Sequence, residues 1–455
     1  MADETTGPVT SRAAALAVVE EIERLLDGGR WAEADGLYVT RCGTGQVFRH
    51  LPAAGLGQRA AGAFVATPDR RAACPDRLSP DDLSFYLNDA GLHAMHAGDL
   101  ATARDYLSAS LQHDRGTGNT AQLAAGLRNL AECLGRLGLP GPAQETAAEA
   151  LDWAGRSLDD HQVRDAHACL AWAAGLAGDT ARAEQHFLIA DQLEFAGDPD
   201  SHHLYSNRGV WWAEWLARTG RRWAAQLLTD DNETLCRASG WNDPLARCER
   251  LLGQFALADD DELPEAGRCL TSAATRQRDA GYLPDLAETL PHLATWAHTT
   301  GTPGAAAEHL TEAIAISAPR SLVSAHITAL TTRARLNATQ AITQARADAS
   351  TALDLATTHN LPWSELEALQ AHAALDQAGN TGNGWSARAT ALQSKLVPPG
   401  LDRDPLRTVE RQAAERDTTP DQPPEPARLA RLATAAWPAT PRSAWPASRS
   451  TRPAI

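Results

Sequence analysis

The chain is predicted to fold as an all-α, right-handed α-solenoid of about eight antiparallel helical hairpins, a stacked-repeat architecture. Three observations predict it. Seven alanines (Ala103, Ala143, Ala183, Ala225, Ala266, Ala306 and Ala345) recur at intervals of 40, 40, 42, 41, 40 and 39 residues. A glycine precedes five of them by five residues, at Gly98, Gly138, Gly178, Gly220 and Gly301. Aromatic residues make up only 5% of the chain, and its apolar content of 43% is mostly alanine and leucine. That composition suits close helix packing and offers little to sheets.

Taken in order, residues 1–40 read as one helical hairpin, with Gly29-Arg30-Trp31 as its turn. Residues 41–83 lose the register under Pro52, Pro68, Pro75 and Pro80, and are expected to be helical but irregular. The array proper runs over 84–396. One unit shows its construction: Leu286, Leu290, Leu293, Ala294 and Ala297 form a single helical stripe, which Thr300-Gly301-Thr302-Pro303-Gly304 breaks. Glycine supplies a left-handed cap and proline the first turn of the next helix, whose inner face carries Ala306, Leu310, Ala313 and Ile314. The same pattern recurs at 88–111, 129–151 and 170–190, and weakens near 321–356 and 364–394. Residues 397–455 form a Pro/Arg-rich tail: eleven of the 26 prolines fall between Pro398 and Pro453. Residues 426–455 carry five arginines and no acid, with tryptophans at Trp437 and Trp445. This composition buries too little apolar surface to fold alone, so the tail is expected to be disordered.

The net charge of −16 and isoelectric point near 5.4 argue against nucleic acid or an anionic membrane surface as the main partner. The polar, acidic start has no signal-peptide pattern, and no stretch approaches the ~18 apolar residues of a membrane helix. Seven scattered cysteines fit reduced, buried thiols. These readings together predict a cytoplasmic protein.

The Gly-Asp turn followed by alanine, with a small residue seven positions before the glycine, resembles tetratricopeptide repeats. Gly91…Gly98-Asp99…Ala103 and Ala171…Gly178-Asp179…Ala183…Ala190 match best. The resemblance covers roughly 84–394 and departs in its period, about 40 against the usual ~34. Three further segments resemble the sensor arrays of STAND-type signal-transduction ATPases of actinobacteria. They are Arg49-His50-Leu51-Pro52…Phe64-Val65-Ala66-Thr67-Pro68, Asn207…Gly209…Ala213…Gly220 and Gly240-Trp241…Leu245-Ala246-Arg247-Cys248…Leu251-Leu252-Gly253. That resemblance implies a sensor half without its ATPase core, working beside a partner NTPase or regulator.

Motifs of chemistry are missing. A phosphate-binding loop needs a lysine after a glycine-rich turn, and the only lysine, Lys395, has no such context. No Cys-x-x-Cys, His-Glu-x-x-His or Gly-x-Ser-x-Gly occurs. Asp198-Pro199-Asp200-Ser201-His202-His203 reads as a turn and helix cap, and Asp259-Asp260-Asp261-Glu262 as a helix start. No enzyme activity, cofactor or metal is expected.

Recognition remains. Asn88, Arg128, Glu132 and Arg208 recur on first helices where a concave groove would be lined, and arginine's planar donors suit a peptide carboxylate. A solvated helix face reads the same way. Trp211 and Trp215, four apart, share a face that either lines a recognition surface or fills a gap between repeats. The expected function is non-enzymatic capture of a protein or peptide in the groove, by a scaffold or sensor in bacterial regulation. The alternative is a receptor for a small-molecule or peptide effector that switches a partner ATPase or transcription regulator.

Overall fold

Alternating stripes of alanine and leucine, cut by left-handed glycines, give helix after helix. The structure, a computed structural model, describes residues 9–416 apart from positions 44, 46, 51–54, 119, 158, 198–201 and 380–383. Among the described residues every regular element is helical. An opening hairpin, α1 (Arg12–Asp27) and α2 (Trp31–Arg41), is followed by three short helices, α3 (Val47–His50), α4 (Leu56–Ala63) and α5 (Pro68–Arg77). These three lie in the 41–83 segment expected to be helical but irregular.

Eight hairpins follow. The first helices are α6 (Pro80–His96), α8 (Thr120–Arg136), α10 (Asp160–Leu176), α12 (Ser206–Arg218), α14 (Asn242–Ala256), α16 (Leu283–Thr299), α18 (Val323–Leu336) and α20 (Pro362–Gly379). The second helices are α7 (Leu100–Thr117), α9 (Pro140–Ser157), α11 (Thr180–Gly197), α13 (Arg222–Ser239), α15 (Leu263–Ala280), α17 (Pro303–Ser317), α19 (Ile342–Thr358) and α21 (Trp385–Leu396). Each of the seven periodic alanines is the fourth residue of a second helix from α7 to α19. All seven are buried, because a methyl group is the largest side chain that lets the paired helices close to roughly 8–10 Å. The turn between α6 and α7 shows how a hairpin is made. Gly98 takes φ +80°, and the Asp99 amide reaches back to the Ala94 carbonyl at 2.9 Å, closing the end of α6 as a Schellman motif. Asp99 then caps α7 through the Thr102 amide at 3.2 Å.

Successive first helices pack against one another from α6 to α20, and the array turns back on itself. The Trp363 indole N–H donates to the Gly175 carbonyl at 2.9 Å across 188 residues. The Thr180 hydroxyl donates to the Leu396 carbonyl at 2.6 Å across 216. About five repeats therefore complete one turn, and the concave side closes into an interior.

The tail expectation needs one correction. Residues beyond 396 continue as ordered chain, and α22 (Pro405–Arg416) packs against α11 with Leu406 and Val409 fully buried. These two side chains, three apart on one helical face, supply the apolar anchor that overrides the proline-rich composition. The rest of the tail, with Trp437 and Trp445, lies outside the described residues, as does the Asp198–Ser201 loop.

Candidate ligand chamber

Four of the six recognition candidates meet at one point inside the turn. Arg128 (α8) faces Asp165 (α10) at 3.8 Å, and Arg208 (α12) reaches the same carboxylate at 3.1 Å. Arg164 pairs with Asp165 at 2.9 Å and with Glu194 at 3.0 Å. Burial pushes the Asp165 carboxyl up, yet the three arginines overcome it and hold it down at about 2. Glu132 pairs with Arg136 at 3.0 Å, in a neighbouring cluster where Arg247 forms an ion pair with Asp285 at 3.0 Å. Trp211 stacks on Trp172 with centroids 5.3 Å apart, walling off the pair of clusters. The space left between these groups is only about 20 Å³.

Trp215 is buried elsewhere in the same wall. Its indole N–H donates to Glu184 at 2.8 Å, and its ring meets Trp363 edge-on at 6.0 Å. Asn88 sits apart on α6, accepting from the Asn129 amide at 2.9 Å. None of the six lines an open groove. The superhelix turns tightly enough that first-helix polar groups meet one another, so Arg128, Glu132 and Arg208 neutralise partners within the chain. Of the two readings of the tryptophan pair, packing between repeats is what the geometry contains.

An open space lies one helical turn further along the same helices. A chamber of about 420 Å³ is lined by first helices α8 to α20 and the turns that lead into and out of them; among the described residues no second helix contributes. Its walls are part aromatic, from Trp172 and Trp363, and part aliphatic, from residues such as Leu251 and Ala325. Charged groups face it from several helices. Arg250 (α14) donates to Glu214 (α12) at 2.5 Å and lies 3.5 Å from Glu288 (α16), so one guanidinium serves two carboxylates. Burial raises Glu214, but Arg250 and Arg218 outweigh it and hold the group below the usual carboxylate range. Glu288 goes the other way: burial raises it, with Asp285 and Glu214 adding to the push against Arg250 and Arg136. Glu367 (α20) accepts from the Thr328 hydroxyl at 3.0 Å and has no salt bridge among the described residues. Arg218, at the end of α12, is exposed and forms no salt bridge either. His292 touches Gln254 and is pushed down to about 3 by burial, then by Arg250 and Arg335, so it stays neutral.

The chamber brings charged, aromatic and aliphatic side chains together around one space. Among the described residues no group of three or more His, Cys, Asp or Glu is arranged to hold a metal ion. No described helix is long and apolar enough to cross a membrane. The chamber residues escaped sequence reasoning because the side-chain type at these positions changes from repeat to repeat. The one available signal was Glu214, Arg250 and Glu288, spaced 36 and 38 residues apart, close to the repeat period.

No family model matches the chain, and no curated protein matches it in sequence. Among solved structures, a Rap protein complexed with competence and sporulation factor is similar over 89% of this chain and 99% of its own. The two are 11% identical, with a TM-score of 0.37. A circular tandem repeat protein with novel repeat topology aligns over 89% of this chain and 100% of its own, at 15% identity and a TM-score of 0.16. The helical-repeat assignment rests on the hairpin geometry described above.

Proposed function

We propose that this chain is a non-enzymatic, tetratricopeptide-like receptor that holds a small effector or short peptide inside its closed superhelix. The observation that carries the reading is the chamber: about 420 Å³, within the roughly 300–1,000 Å³ of ligand sites, with convergent polar groups on an apolar wall. A wide protein ligand fits poorly, because the groove that would admit it is closed by contacts such as Trp363 to Gly175. The net charge of −16 disfavours nucleic acid. An effector that bridges first helices from distant repeats would tighten the turn and change the outer face offered to a partner NTPase or regulator. Exposed Trp223 and Leu227, one helical turn apart on α13, are a surface such a partner could read.

The test is retention of low-mass compounds from a bacterial extract by the full chain and by Ser324→Trp, read by mass spectrometry. Ser324 lines the chamber and makes no hydrogen bond among the described residues, so the indole fills space without removing a contact. Compounds held by the native chain and lost from the variant support the reading. Equal retention by both, or none by either, contradicts it.

A further inference from the structure

The charges facing the chamber are not balanced in pairs, and the imbalance has both signs. Arg136 is already matched from behind the wall by Glu132 at 3.0 Å and Asp285 at 3.6 Å. Arg250 is shared between Glu214 and Glu288. That leaves Glu288 with part of one cation, Glu367 with only a hydroxyl donor, and Arg218 with no salt bridge among the described residues. Ser364 adds a neutral hydroxyl to these charges. It lines the chamber, is only 8% exposed, and its hydroxyl makes no hydrogen bond among the described residues. Its hydroxyl is open to the chamber, so it can bond a polar group that enters in place of water.

Resting on the receptor reading above, we propose that the chamber binds a short zwitterionic peptide of two or three residues by its free ends. The terminal ammonium is held by Glu288 and Glu367, the terminal carboxylate by Arg218 and the Ser364 hydroxyl, and the peptide body lies along Trp172 and Trp363. The size of the space sets the length. A cavity of about 420 Å³ spans roughly 7–10 Å, and an extended chain covers about 3.3–3.6 Å per residue. The indole N–H of Trp363 is already bonded to Gly175, so that residue presents only its ring. Both charges are used: a cation alone leaves Arg218 with only a share of Glu214, and an anion alone faces three carboxylates.

Pools of random di- and tripeptides with free ends test this, alongside N-acetylated pools, C-amidated pools and the free amino acids. Each is bound to the full chain and eluted for mass spectrometry. The expected result is that either cap lowers retention at least about tenfold, the scale of one charge-assisted contact. Glu288→Gln/Glu367→Gln is expected to abolish the penalty of acetylation while sparing that of amidation, and Arg218→Gln to do the reverse. All three residues face the chamber, and circular dichroism of each variant establishes that the fold persists. Equal retention of free and capped pools overturns the zwitterion while leaving the receptor reading intact. Retention of free amino acids alone overturns the peptide length. Binding of nothing in any pool overturns this proposal, and the extract experiment then decides separately whether the chamber is a receptor site at all.

Discussion

Asp165 answers three arginines at once, and its removal leaves Arg128, Arg164 and Arg208 facing one another in the interior. Breaking a buried pair by deleting one partner costs about 3–5 kcal/mol, because the remaining charge is uncompensated. Asp165→Asn should therefore lower the unfolding free energy by about 3 kcal/mol in urea titrations. Its pH dependence follows from a folded-state pKa held down at about 2. The carboxylate's contribution is present in full above its unfolded value, near 4, and is lost as pH falls toward about 2. Native protein should lose stability across that interval more steeply than the variant, measured as the urea midpoint against pH. Arg128 and Arg208 were visible in the sequence as regular polar positions on first helices. Their partner was not, because Asp165 sits one residue beyond Arg164 and shows no repeat spacing. A helix face can be read from periodicity; whether it meets water or another helix depends on how far the superhelix turns.

In the α6–α7 hairpin, the turn glycine and the helical glycine seven residues before it do different work. Gly98 needs its left-handed backbone, while the nearest atom to an added methyl is the flexible Arg320 Cδ at 2.9 Å. Gly98→Ala should cost about 1 kcal/mol, the left-handed penalty alone. Gly91 is helical, and a methyl there would fall 2.8 Å from Leu107 Cγ in the packed face between α6 and α7. Gly91→Ala should cost about 1–3 kcal/mol by overpacking. Thermal unfolding of the two variants side by side separates the mechanisms. Turn glycines and buried alanines were legible because every repeat must solve the same packing problem. The clasp formed by α22 was not, since it occurs once. Its Arg221 partner donates to the Asp402 carbonyl at 3.2 Å, and Leu406 and Val409 seat the helix on α11. Leu406→Ala/Val409→Ala should release it, with faster proteolytic cleavage near Asp402 and a loss of about 3 kcal/mol.

The whole molecule is a solenoid that closes, and closure is what converts a row of helix faces into a chamber. Contacts across 181 to 221 residues tie early repeats to late ones, at Arg221 with Asp402, Trp363 with Gly175 and His359 with Gly138. Architecture at this scale was partly readable: the period of about 40 dictated stacked hairpins. The degree of curvature was not, because it accumulates from small rotations per repeat that no single residue encodes. That is why Asn88, Arg128, Glu132 and Arg208 pointed to a groove, and the space lies instead beside Glu214, Glu288 and Glu367. Where a ligand sits is therefore the decisive question. Hydrogen–deuterium exchange of the full chain, with and without the compounds it retains from extract, answers it most directly. Added protection is expected on the inner helices that line the chamber, from α8 to α20, with the outer helices α9 to α19 changed far less. Protection confined to the outer helices, or to the exposed Trp223 face of α13, would contradict it.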